Sequence, residues 1–185
     1  MGLVESLKFL AEENMSGLAF LTAYGVTWLA CGVLWHRAPE RLAAFVTLFQ
    51  GLVAFPVALG LSSMTGAIGG NRPVSDEITQ LSVLIGTSQL LGLPFVIYLV
   101  VKQQYTLAPF ALAAMTSMHF VLYTWLYQTP VYIVLAVLIS IGTMTVMFSA
   151  PETRRRAGPV RVCFLTGSLL LTTALLFLSI HLGNG

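Results

Sequence analysis

Six stretches of about 20 mostly apolar residues divide this chain, each long enough to cross the ~30 Å hydrocarbon core of a bilayer as a helix. They cover residues 17–35, 42–63, 81–101, 107–127, 131–149 and 160–182. None alternates apolar and polar residues as a barrel strand does. In hydrocarbon the backbone must also satisfy its own N–H and C=O groups, so each stretch is expected to be a helix. A soluble domain is about a quarter charged; this chain is 57% hydrophobic and 9% charged, too little polar surface to coat a water-facing globule. The expected fold class is all-α: a polytopic membrane protein, a bundle of six transmembrane helices preceded by a short amphipathic helix.

The connections at 36–41, 102–105, 128–130 and 151–159 are short and carry prolines, glutamines or charges. Short connections make sequential helices antiparallel neighbours, so residues 17–185 are expected to form a single six-helix domain. Residues 1–16 place Leu3, Val4, Leu7 and Leu10 at helical spacing with Glu5, Lys8, Glu12 and Glu13 elsewhere, the pattern of an interfacial amphipathic helix. They lack the basic start and cleavage site of a signal peptide. Met1, Gly2 and Ser6 formally fit a myristoylation pattern, but the topology below puts them on the wrong side of the membrane for it.

Six spans sort the basic residues unevenly. Lys8 and Arg72 fall on one side; Arg37, Arg41, Lys102, Arg154, Arg155, Arg156 and Arg161 fall on the other. By the positive-inside rule both termini are expected to be non-cytoplasmic. Trp35, Tyr98 and Tyr105 would then line the inner interface, and Tyr123, Trp125, Tyr127 and Tyr132 the outer, as aromatic belts. The arginine cluster 154–156 with Arg161 reads first as a topology anchor and second as an attraction for anionic lipid. Cys31 and Cys163 fall near the basic edge and read as buried apolar thiols, since disulfides belong to oxidising compartments. No basic soluble domain exists to bind nucleic acid.

Inside the spans the informative residue is His119, because an intramembrane ionisable group is costly and often marks a pathway or ligand site. At a helical rise of about 1.5 Å per residue, Gln50 lies about 12 Å and His119 about 18 Å above the basic edge, with Gln89 about 12 Å below the opposite edge. Gln89 and His119 therefore share a depth on neighbouring spans, and a hydrogen bond between them is expected. Thr116 and Tyr123 extend the face of His119 by one turn in each direction. Pro56 and Pro94 interrupt the second and third spans and remove the bonds to the carbonyls of Leu52 and Leu90. The result is either a plain kink or a broken helix of the kind that lines transporter sites. Met115 and Met118 beside His119 read as packing rather than a metal site. The loop at 64–80, MTGAIGGNRPVSDEITQ, lacks the ending of a phosphate loop. In it Ser75, Asp76 and Glu77 suit the start of the third span.

The segment HFVLYTWLYQTPVY, residues 119–132, resembles a stretch recurring in a family of small six-span bacterial inner-membrane proteins of unknown function. The resemblance implies a bacterial cytoplasmic membrane as the home and groups His119, Tyr123 and Trp125. It implies no activity.

Three classes of function follow: a small transporter, a membrane-embedded lipid-modifying enzyme using His119 as acid or base, and a noncatalytic subunit or sensor. No span carries a carboxylate or a metal-ligand pair, so transport or ligand binding is favoured over catalysis, and no cofactor is expected. The expected ligand-binding set is His119, Gln89, Gln50, Tyr123, Thr116 and Trp125, suited to a neutral or amphiphilic molecule. A six-span carrier would need a homodimer to enclose a pathway, and Ala108, Ala111, Ala114 and Ser117 offer close helix contact.

Overall fold

The structure, a computed structural model, describes residues 2–64, 76–151 and 155–183. The described residues are helices and turns, with no strand among them: α1 (Leu3–Glu13), α2 (Leu18–Arg37), α3 (Glu40–Phe49), α4 (Gly51–Met64), α5 (Asp76–Ser88), α6 (Leu93–Val101), α7 (Ala108–Leu126), α8 (Val131–Phe148) and α9 (Ala157–Gly183). They compose six spans apolar and long enough to cross a membrane, at Met15–Arg37, Glu40–Met64, Gln80–Val101, Tyr105–Leu126, Val131–Phe148 and Ala157–Gly183. The chain is an all-α, multi-pass membrane protein. Most of the loop at 64–80, with Ser75, lies outside the described residues, as do the side chains of Asp76 and Glu77 and residues Glu152 and Arg154.

Spans one and six form the tightest contact. A Cβ on Gly167 would sit 2.9 Å from the carbonyl oxygen of Gly25, and one on Gly25 would sit 3.3 Å from that of Gly167. Backbone therefore meets backbone, an approach that only small residues permit and that drives helix association where lipid removes the hydrophobic incentive. From there α9 packs on α8 and α8 on α7. On α4 the buried face is Ala54, Ala58 and Ser62, four residues apart, and α4 packs on α2. Ala108, Ala111 and Ser117 of α7 are likewise buried within the chain.

Two returns of the chain use glutamine where glycine is customary. Gln103 (φ 59°) ends α6 and Gln128 (φ 51°) ends α7 in the left-handed region. In each the following N–H reaches back five residues, Gln104 to Leu99 (2.8 Å) and Thr129 to Thr124 (3.2 Å), satisfying a carbonyl that the helix end would leave bare.

Span two divides at Gln50, upstream of Pro56, which lies within α4. Its first half α3 packs against α2, α6 and α7, while its second half α4 packs chiefly on α2. Span three divides too, at a tight turn of helix over Gln89–Gly92. Its first half α5 lies against α7, and among the described residues α4 and α5 share at most a marginal contact. The halves of spans two and three that meet at the basic end thus separate toward the end that carries both chain termini. Only 17% of the apolar core of span three is buried, against 39% for spans one and six and 44% for span four.

The expected aromatic belts need correction. Trp35 is fully buried, its indole N–H donating to Thr47 Oγ1 at 2.9 Å, which in turn donates to the Ala43 carbonyl at 2.7 Å. Tyr132 is buried as well, and its hydroxyl donates to the carbonyl of Ser16. Tyr98 and Trp125 do face outward, and the Lys102 ammonium lies 5.7 Å from the Tyr98 ring. The N-terminal helix is also more than a surface float. Its Leu7 and Leu10 are buried with Ile78, Ile85 and Leu126 at the ends of α5 and α7, leaving Leu3 and Val4 exposed. Three consecutive left-handed residues, Met15, Ser16 and Gly17, join α1 to α2. Gly17 (φ 83°) has the Tyr132 hydroxyl 2.8 Å from where its Cβ would lie, so both conformation and space demand glycine.

Candidate functional site

The polar residues of spans three and four meet where span three is interrupted. Ser88 ends α5 and Gln89 opens the tight turn, so two successive side chains face α7 at one level. Pro94 occupies one of the first two positions of α6, where a missing N–H costs no hydrogen bond. The Leu90 carbonyl that Pro94 cannot serve accepts instead from the N–H of Leu93. The break is thus satisfied locally, without water or ligand. It is also filled: a Cβ on Gly92 would lie 2.2 Å from Met115 Cε and 2.6 Å from Met115 Sδ, so the methionine of α7 lies over the glycine.

Two side-chain hydrogen bonds cross from span three to span four. Gln89 Nε2 donates to Thr116 Oγ1 at 3.0 Å, and Thr116 donates to the Leu112 carbonyl at 2.8 Å. Ser88 Oγ lies 3.1 Å from His119 Nδ1 and 2.7 Å from the Ile85 carbonyl. The expected bond between Gln89 and His119 is therefore replaced by two parallel bonds. Ser88, adjacent in sequence to Gln89, is the partner that depth arithmetic on glutamines alone misses.

A serine hydroxyl has a single proton to give. When Ser88 donates to Ile85, the imidazole donates through Nδ1–H and presents Nε2 as an acceptor. When Ser88 donates to His119, the proton of the neutral ring sits on Nε2 and that atom becomes a donor. Either arrangement engages Nδ1 and leaves Nε2 for a further partner. The ring itself is buried and edge-on to Tyr123, centroids 4.8 Å apart.

Tyr123 begins an aromatic stack that continues toward the termini. It stacks on Tyr127 at 5.5 Å, and both lie 5.6 Å from Tyr132, which also touches Phe120 and Phe177 at 5.6 Å. Tyr123 and Tyr127 also pack against the cluster of Leu7 and Leu10, so α1 covers this stack. Four of the six anticipated residues, His119, Gln89, Thr116 and Tyr123, are thus brought together.

The other two are not. Gln50 is buried on the far side of span two, accepting from the Cys31 thiol at 3.7 Å. Trp125 is 45% exposed and looks outward, because six residues along a helix turn it well away from His119. Met118 is likewise exposed while Met115 is half-buried and packs on Gly92, so the two methionines do not share a site. Cys31 and Cys163 are both buried as free thiols on helices that pack together.

No curated protein and no solved structure matches this chain. A family model described as a family of unknown function, DUF7010, matches residues 5–179, which takes in most of α1, the first five spans and the sixth as far as Ser179. On that match the chain belongs to the DUF7010 family.

Proposed function

We propose that this protein binds a neutral or amphiphilic small molecule between spans three and four and carries it through or out of the bilayer. The reading rests above all on one observation: within the third span, a broken helix is joined to its neighbour by two polar bonds, one to Thr116 and one to the imidazole of His119, whose Nε2 has no hydrogen-bond partner among the described residues. A ligand hydroxyl or amide bonding His119 Nε2 would compete with few other contacts, because span three is the least buried of the six. The divergence of α4 from α5 supplies a lateral entrance from lipid, and α1 above Tyr123 and Tyr127 acts as its cover. On this reading the arginine-rich end is cytoplasmic and both termini lie outside, which the positive-inside rule supports, in a bacterial inner membrane, which the family resemblance of residues 119–132 supports. A homodimer would enclose the exposed side of span three.

Mass spectrometry of what accompanies the full-length chain through purification in mild detergent tests this reading. The wild type is expected to retain a discrete small molecule and His119→Gln to lose it while purifying in equal yield. A chain that carries no such molecule, or a variant that keeps it, contradicts ligand binding at this seam. A variant that fails to assemble assigns His119 to helix tying alone.

A further inference from the structure

Two open recesses lie at the opposite, basic end and adjoin one another through Glu40 and Arg155. The first, of about 580 Å³, is walled by Arg155, Arg156 and Arg161, with Trp35 and Val160 as its apolar side. Two of these arginines are already aimed. Arg156 donates through Nη1 to the Ala38 carbonyl at 3.0 Å, and its Nε lies 3.6 Å from Glu40 Oε1. Arg161 donates through Nη1 to the Ser149 carbonyl at 3.2 Å. Each donates through one terminal nitrogen to the protein, and the other has no hydrogen bond among the described residues. Three arginines against one glutamate leave the described wall cationic, and the start of α9 at Ala157 adds the positive end of a 27-residue helix.

The second cavity, of about 640 Å³, is different in kind. Beside the shared Glu40 and Arg155, its lining includes Gln103, Gln104 and Thr106, amide and hydroxyl groups suited to an alcohol. Below the first cavity, one turn deeper in the span, Phe164 of α9 packs over Gly32 of α2. There Phe164 and Val33 are both exposed to the bilayer. A cationic recess, a hydroxyl-binding recess beside it and an apolar track beneath match the parts of one amphiphile in order.

The geometry points to a site for an anionic phospholipid: its phosphodiester among Arg155, Arg156 and Arg161, its hydroxylated headgroup alcohol against Gln103, Gln104 and Thr106, and an acyl chain along Val33 and Phe164. Basic recesses at the ends of transmembrane helices hold lipid headgroups by this chemistry. The site is independent of the seam at His119.

The test is binding of phosphatidylglycerol to the full chain by native mass spectrometry, with phosphatidylcholine and soluble glycerol phosphate as the other two probes. One phosphatidylglycerol is expected to bind at low concentration, with phosphatidylcholine and glycerol phosphate binding at least tenfold more weakly. Arg155→Gln with Arg161→Gln, both at exposed positions, is expected to weaken phosphatidylglycerol binding about 25-fold, near fivefold per arginine. Arg41→Gln with Lys102→Gln removes the same charge from the same end without touching either cavity and is expected to change binding less than twofold. Val160→Phe keeps every arginine, fills the apolar wall and is expected to displace the lipid. Equal loss in both double variants would reduce the effect to surface charge and overturn the site. Glycerol phosphate binding as tightly as phosphatidylglycerol, with the same dependence on Arg155 and Arg161, would overturn the lipid and assign a soluble phosphate instead.

Discussion

Spans one and six meet backbone to backbone, whereas span three is joined to span four by two hydrogen bonds and a methionine over a glycine. All three spans are apolar enough to cross a membrane, so hydrophobicity does not explain the difference. What separates them is the distribution of small residues. Gly25, Gly32 and Gly167 lie where helices touch, while Gly86 of span three has no heavy atom of another element within 4 Å of where its Cβ would be. In lipid the tails are as apolar as leucine, and close packing plus a few polar bonds decide which helices associate. One side of the molecule is consequently a packed bundle, and the other is a helix with a small buried face, Ile85, Val96 and Val100, joined to span four by polar bonds.

That contrast can be broken by adding volume. Gly167→Leu forces a side chain against the Gly25 carbonyl, which cannot move without its helix. It is expected to destabilise the chain by about 3 kcal/mol, read as a sharp fall in thermal midpoint and folded yield in detergent. A midpoint close to wild type would mean that spans one and six are not the rigid side. Gly92→Leu meets only the flexible end of Met115. An intermediate loss of about 1–2 kcal/mol is expected there, accompanied by loss of the copurifying ligand because the level of the seam shifts. Gly86→Leu enters open space and is expected to change stability by less than about 0.5 kcal/mol. A large effect at Gly86 would show span three packed against something on that face and would end the comparison.

The six spans, their order and the tight return at 128–130 were legible because apolar length and turn chemistry are local properties. Facing was not. Every side of these helices is apolar, so Trp35, Tyr98, Trp125 and Tyr132 look alike as interface aromatics in sequence. Only three-dimensional packing buries Trp35 on Thr47 and Tyr132 on Ser16. Depth arithmetic placed Gln89 and His119 at one level because the rise of a helix is fixed. It could not decide which neighbouring hydroxyl each would take, since Ser88 and Thr116 lie within the same turn. Gln50 was expected about 6 Å nearer the basic edge than His119, yet it joined the expected set; it faces Cys31, a rotation that no one-dimensional pattern records. The cover formed by α1 was hidden in the same way: Leu7 and Leu10 suit lipid as well as they suit Ile85 and Leu126.

The most direct test is a pair of spin-label distance measurements in lipid, with Cys31 and Cys163 replaced by alanine. One pair joins Val26 of span one to Leu138 of span five; the other joins Leu91 of span three to the same Leu138, all three side chains being exposed. A narrow distribution is expected for the first pair and a broad one for the second, broadening further in Ser88→Ala with Gln89→Leu while the first pair stays unchanged. Two equally narrow distributions, indifferent to the loss of Ser88 and Gln89, would contradict the claim that span three is the releasable element held by its polar seam.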